Sequence, residues 1–243
     1  MRKTTYLLWV VLVAAAGWGS GCKSKTQDTA PGQVEPPEKE TAPQAEQGEQ
    51  EPAKDDSGTA VKTGPDAWRS HVLMVIACEN FRDEELAKPK EILEKNGLIV
   101  HVASSKKEGC KGMLGAGAAV DSLITEVKAQ DYGAVVFVGG TGAKIYLDSA
   151  DAHKLAAEAV KEDRIVGAIC LAPAILAKAG VLKGKKATVY NDEEFVGILK
   201  DGGADYTGDK VTVDGKIVTA HGPDAAAEFG EKLLELIKGA SPK

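Results

Sequence analysis

The 243-residue chain carries 36 acidic and 30 basic side chains, a net charge of −6, and only 5% aromatic residues. Its Lys and Arg residues are dispersed among Asp and Glu, so it has no concentrated basic surface of the kind that neutralises nucleic-acid phosphates, and nucleic acid is excluded as an expected partner. Length alone allows one large domain or two small ones, and composition decides for one.

At the N-terminus, Arg2 and Lys3 precede an apolar run from Tyr6 to Ala16 that is too short for a comfortable membrane span and ends in small residues, so residues 1–21 read as a signal peptide. Gly19, Ser20 and Gly21 lead into Cys22. This is similar to a bacterial lipobox, whose cysteine is lipidated and becomes the mature N-terminus, although Gly19 stands where Leu is usual. The alternative is an ordinary secretory signal followed by an incidental cysteine. Residues 22–68 are rich in Pro, Glu, Gln, Lys and Thr and nearly lack Leu, Ile and aromatics until Trp68, so they cannot bury enough apolar surface to offset chain entropy and read as a disordered linker. A flexible leash suits a domain tethered to a membrane through a lipid, and the expected location is the bacterial cell envelope, facing the periplasm or exterior. Residues 69–240 then form one domain of comfortable size for a single core.

Within it, His71 to Ala77 is a β-branched apolar run that predicts a doubly buried strand. Asp83 to Asn96 predicts a helix closed by Gly97, and Leu98 to Ala103 a second strand. Gly109 to Asp121 is a Gly-rich excursion. Ser122 to Gln130 predicts a short helix, Ala134 to Val138 a third strand ending in Gly139-Gly140, and Ser149 to Glu162 a helix. A fourth strand over Arg164 to Ile169 runs into a small-residue helix over Leu171 to Ala179. Ala187 to Tyr190 predicts a fifth strand, Asp192 to Lys200 a helix, and Val211 to Ala220 a hairpin turning at Asp214-Gly215, before a last helix over Asp224 to Lys238. Apolar strands alternating with amphipathic helices predict an α/β fold, a mostly parallel sheet with helices on both faces. Sites in such sheets gather at the carboxyl ends of the strands, which brings Cys78 to Phe81, Gly139-Gly140, Cys170, Tyr190 and His221 toward one rim.

The domain's cysteines are Cys78, Cys110 and Cys170, an odd number that allows one disulfide beside a free thiol, or three free thiols. Cys78 ends the first strand, and a regulatory disulfide with Cys170 is conceivable from that position. Cys170 stands at a junction from strand to helix among small residues, the layout of a nucleophile elbow. Free N–H groups at a helix N-terminus favour a thiolate, so the position predicts a thiol pKa below the ordinary value; the competing role is a buried structural cysteine. No His, Cys or carboxylate set has convincing zinc spacing, and no cofactor is expected.

The segments AICLAPAIL with GVLKGKKAT, VLMVIACENFRDEELAKPKEILEKNG, VVFVGG and VTAHGPDAAAEFGEKL, in this order, resemble the ThiJ/PfpI family of the class I glutamine amidotransferase-like superfamily. The family includes a bacterial intracellular peptidase, a protein deglycase and glutathione-independent glyoxalases. The resemblance implies a flavodoxin-like three-layer sandwich with Cys170 as nucleophile and Glu85 as the carboxylate that hydrogen-bonds it. It further implies backbone N–H groups of Gly140 and Leu171 at an oxyanion, Tyr190 beside the nucleophile, and a homo-oligomer. Asp83 and Glu84 read as first-turn acids favoured by the helix dipole. His221 stands where relatives more often have Asn or Arg, and is either a substitute base or a surface histidine. Leu171 replaces the His that follows the cysteine in the peptidase branch, and an apolar side chain cannot accept a proton. The resemblance therefore implies small reactive carbonyls or their protein adducts as substrates, with a thiol redox sensor or chaperone and a cysteine peptidase as alternatives.

Overall fold

A computed structural model describes residues 67–239. The expected signal peptide, the lipidation at Cys22 and all of the expected linker before Ala67 lie outside the described residues.

The strands are β1 (His71–Val75), β2 (Glu79–Phe81), β3 (Ile99–Ser104), β4 (Lys111–Gly112), β5 (Ser122–Leu123), β6 (Ala134–Phe137), β7 (Ile165–Ile169), β8 (Lys186–Ala187), β9 (Asp205–Tyr206), β10 (Val211–Asp214) and β11 (Ile217–Ala220). The helices are α1 (Asp83–Lys95), α2 (Ala150–Lys161), α3 (Pro173–Lys178), α4 (Glu193–Asp201) and α5 (Ala226–Gly239). Seven strands form the main sheet in the order β10-β11-β7-β6-β1-β3-β5, with every pairing parallel except the β10–β11 hairpin. Taken alone, β3-β1-β6-β7-β11 has the flavodoxin-like strand order, whose direction reverses between β1 and β6, and ligands bind at such a reversal.

The central strands are apolar runs because both faces are covered. Val72, Leu73, Met74 and Val75 in β1 and Ala134, Val135, Val136 and Phe137 in β6 are at most 1% exposed. The chain steps from β1 to β3 in one direction and from β6 to β7 in the other, so right-handed crossovers put α1 and α2 on opposite faces. Helix α1 packs against α5, and α2 against α3. The α1–α5 contact depends on a glycine: a Cβ at Gly230 would come within 2.9 Å of Pro89 Cα.

Two elements differ from expectation. Residues Ser122 to Gln130 are not a helix; Ser122–Leu123 pair with Ala103–Ser104 at the sheet edge, and a short 3-10 turn at Ala129–Asp131 follows. Ile124, Thr125 and Val127 are stiff β-branched residues, and the edge pairing gives their backbone a better outlet, including the bond from Ile124 N–H to Ser104 O at 2.9 Å. The segment Ala187 to Tyr190 is not a strand of the main sheet. Only Lys186–Ala187 pair, with Asp205–Tyr206 in a separate ribbon. Beyond it the chain crosses the end of the sheet, with Thr188 N–H donating to Thr219 Oγ1 and Tyr190 N–H to Cys170 O, both at 2.9 Å.

Candidate active site

Cys170 follows β7 directly and has φ +63°, a left-handed backbone conformation that costs a non-glycine residue about 1–2 kcal/mol. Neighbours on both sides grip it: its N–H donates to Ala220 O at 2.8 Å and its carbonyl accepts from Tyr190 N–H. The turn presents the thiol at the carboxyl end of the sheet beside β6, where it is 8% exposed. This is the strand-to-turn geometry of a nucleophile elbow.

Glu85 lies in the first turn of α1 and is wholly buried. Its Oε2 accepts the N–H of Gly139 at 3.1 Å, and the Cys170 side chain faces the same carboxyl group across Gly139. The other oxygen, Oε1, is buried without a hydrogen-bond partner. Gly139 allows the pair to meet, because a Cβ there would lie 2.5 Å from Cys170 Cβ, 2.6 Å from Ile169 O and 2.7 Å from Glu85 Oε2. Gly140 follows with φ +92°, and its N–H, together with that of Leu171, points at the Cys170 sulfur.

Burial sets the proton balance of the pair. It pushes the Glu85 carboxyl up to about 8, against the thiol and the Gly139 N–H, which favour its ionised form. Glu85 is therefore mostly protonated at neutral pH. Burial also pushes the Cys170 thiol up, to about 12, with the Glu85 charge adding to the rise and the Gly140 and Leu171 N–H groups opposing it. The lowered thiol pKa expected from sequence is thus reversed. The helix after Cys170 is only six residues long and begins at Pro173, so its dipole is weak beside the desolvation of a buried sulfur. The first proton leaves the pair near pH 8, which gives a carboxylate poised to take the thiol proton as the sulfur attacks.

A model of the DJ-1/PfpI family matches residues 70–236. The chain belongs to the DJ-1/PfpI family. It is 48% identical over 168 residues to an uncharacterized protein of Methanocaldococcus jannaschii, covering 69% of this chain and 82% of that one. It is 30% identical to the deglycase PfpI of Pyrococcus furiosus, over 68% of this chain and 99% of the relative. Among solved structures, a ThiJ/PfpI domain protein from Brachyspira murdochii superposes with a TM-score of 0.68 at 31% identity, covering 71% of this chain and 98% of that one.

On this DJ-1/PfpI scaffold Cys170, Glu85, Gly140 and Leu171 come together, and two other expected residues flank the elbow without a side-chain hydrogen bond to Cys170 or Glu85. Tyr190 contributes its backbone N–H to the elbow while its side chain is 47% exposed. The His221 ring lies 3.6 Å from Asp224, and no hydrogen bond joins it to Cys170 or Glu85. Cys78 is bonded to Cys110 rather than Cys170, which leaves Cys170 the free cysteine of the described residues. No cluster of three or more metal-ligating side chains occurs among the described residues.

Sequence reasoning missed Asp83. Its carboxylate accepts the N–H groups of Leu114 and Ala116 at 2.8 and 2.9 Å, clasping the Gly-rich excursion to the start of α1. Burial raises its pKa, but those bonds and the nearby Arg82 outweigh it and hold the carboxyl below its ordinary range. A Cβ at Gly112 would come within 2.4 Å of the same carboxyl group. An acid at a helix start facing a glycine-rich loop was the available signal. Glu84, by contrast, pairs with Arg82 at 2.8 Å near the surface.

Proposed function

We propose that the protein is a cysteine-dependent enzyme acting on small reactive carbonyls or their adducts on proteins, exported and lipid-anchored at Cys22. The observation that carries the enzymatic reading is the buried Cys170–Glu85 pair, roofed by the N–H groups of Gly140 and Leu171 and held by a left-handed backbone turn. In the first step the Cys170 sulfur forms a C–S bond to the carbonyl carbon, and the π pair moves to oxygen. The thiol proton passes to ionised Glu85, while the two N–H groups stabilise the oxyanion. Glu85 then returns the proton to that oxygen, giving a hemithioacetal. The deglycase name of the Pyrococcus relative, which this chain matches almost end to end, favours a carbonyl-adduct substrate. Leu171 in place of a basic residue argues against peptide hydrolysis. The Cys78–Cys110 disulfide supports export, since such bonds persist in oxidising compartments.

The test is methylglyoxal consumption by the purified chain. Cys170→Ser and Glu85→Gln should each abolish it while the circular dichroism spectrum is retained. Full consumption by Cys170→Ser overturns the reading. So does a wild type that leaves methylglyoxal untouched but is oxidised at Cys170 by peroxide, an outcome that favours oxidant sensing.

A further inference from the structure

We propose that the Cys78–Cys110 disulfide is a positioning element of the active site, so that Cys170 reaches full reactivity only in the oxidised chain. The inference rests on Cys170 being the reactive thiol, as in the reading above, and on no particular carbonyl.

The five residues Cys78 to Arg82 lie between the disulfide and the reacting groups. On one side they meet the Gly-rich excursion: Lys111 N–H donates to Cys78 O at 2.7 Å, Met113 N–H donates to Phe81 O at 2.9 Å, and Asp83 takes two further amides. On the other side they support the glycines that face Cys170. Arg82 N–H donates to Gly139 O at 3.1 Å, and a Cβ at Gly140 would come within 2.5 Å of Arg82 N and Asn80 O. At Gly142 the same addition would reach 1.8 Å from Glu79 O. The segment then runs straight into α1, which carries Glu85. It thus sets the position of a sulfur-facing N–H and of the proton-exchanging carboxyl together.

Hydrogen bonding alone holds this segment weakly. The β2–β4 ladder is a short two-stranded pairing with a register shift, and isolated two-stranded pairings are marginal. Asn80 has φ +59°, a left-handed residue that interrupts the extended backbone inside β2. The covalent link closes the 32-residue separation between Cys78 and Cys110 and removes much of the freedom the loop would otherwise have. Both cysteines are buried, but Ser105 to Gly109, just before Cys110, form an exposed strip, so local opening of this strip gives a dithiol access. Reduction by a dithiol passes through a mixed disulfide: two electrons and two protons go to Cys78 and Cys110, and the reductant leaves as its own disulfide. Loosening the segment weakens the Gly140 donor at the sulfur. A chain that has not yet reached an oxidising compartment would carry a blunted thiol, and the site would be completed where the disulfide forms.

The experiment measures iodoacetamide labelling of Cys170 by mass spectrometry across pH, in the full oxidised chain and in the Cys78→Ser/Cys110→Ser variant. Wild type reduced with dithiothreitol and then reoxidised serves as a second measurement free of folding defects. Reduction and the double variant should each slow labelling at neutral pH by roughly threefold or more, short of the ~100-fold typical of losing a whole oxyanion donor. They should also move its midpoint upward, and reoxidation should restore both. A slower rate with an unmoved midpoint would reflect accessibility alone and would overturn the positioning role. Identical rates and midpoints before and after complete reduction would overturn the positioning role. If Cys170 of the oxidised chain labels no differently in Glu85→Gln, the reading of the site itself fails, and this inference with it.

Discussion

At the scale of single residues, the site is a proton-sharing pair whose members are both held toward their neutral forms by burial. Glu85 has a folded pKa of about 8 against an ordinary 4.5, so its contribution to stability is fully present below the lower value and is lost as pH rises through the higher one. Each pKa unit is worth about 1.4 kcal/mol, which makes the loss on the order of a few kcal/mol by mildly alkaline pH. Glu85→Gln should therefore flatten the fall in melting temperature between acid and mildly alkaline pH; an unchanged slope would mean that the carboxyl does not titrate where its burial implies. The Cys170 thiol, raised from 9.0 to about 12, adds a similar loss only at higher pH. Gly139→Ala should cost roughly 1–3 kcal/mol by overpacking and should separate Glu85 from Cys170, abolishing carbonyl consumption even in the folded fraction. A Gly139→Ala variant that keeps whatever methylglyoxal consumption the wild type shows would mean that the close approach is dispensable. Cys170 stood out in the sequence at its strand-to-helix junction, whereas Glu85 and the two amide donors were expected only from the family resemblance, because a first-turn acid and a backbone N–H carry no signal of their own. The direction of the thiol shift was not legible, since desolvation depends on what the fold packs over the sulfur.

At the scale of elements, the long apolar and amphipathic segments were legible and the short ones were not. Strands β1, β6 and β7 and helices α2 and α5 follow from sustained apolar patterns, and α1 forms despite Pro89 inside it. Ser122–Leu123 became an edge strand because Ala103 and Ser104 offered it partners far away in sequence. The Gly-rich excursion showed no pattern at all, yet the disulfide and the Asp83 carboxylate fix it, two long-range ties that spacing cannot reveal. By loop-closure entropy the disulfide stabilises the domain by about 3–4 kcal/mol. Chemical denaturation of the Cys78→Ser/Cys110→Ser variant should show a loss of that size, and a loss within error of zero would mean that the excursion is held entirely by its hydrogen bonds.

At the scale of the molecule, a flavodoxin-like DJ-1/PfpI domain follows the N-terminal residues for which we propose a secretion signal and a tether. If Cys22 is the attachment point, the protein should take up a fatty-acid probe and partition into detergent, and Cys22→Ser should abolish both. A wild type that never labels would separate the domain from the membrane. The chemistry of the domain centres on the coupling of Cys170 to Glu85, and the pH dependence of Cys170 alkylation, read by mass spectrometry in wild type and Glu85→Gln, tests it most directly. Wild type should gain reactivity with a midpoint near 8, and that rise should disappear in the Gln variant; the same midpoint in both proteins would contradict the account.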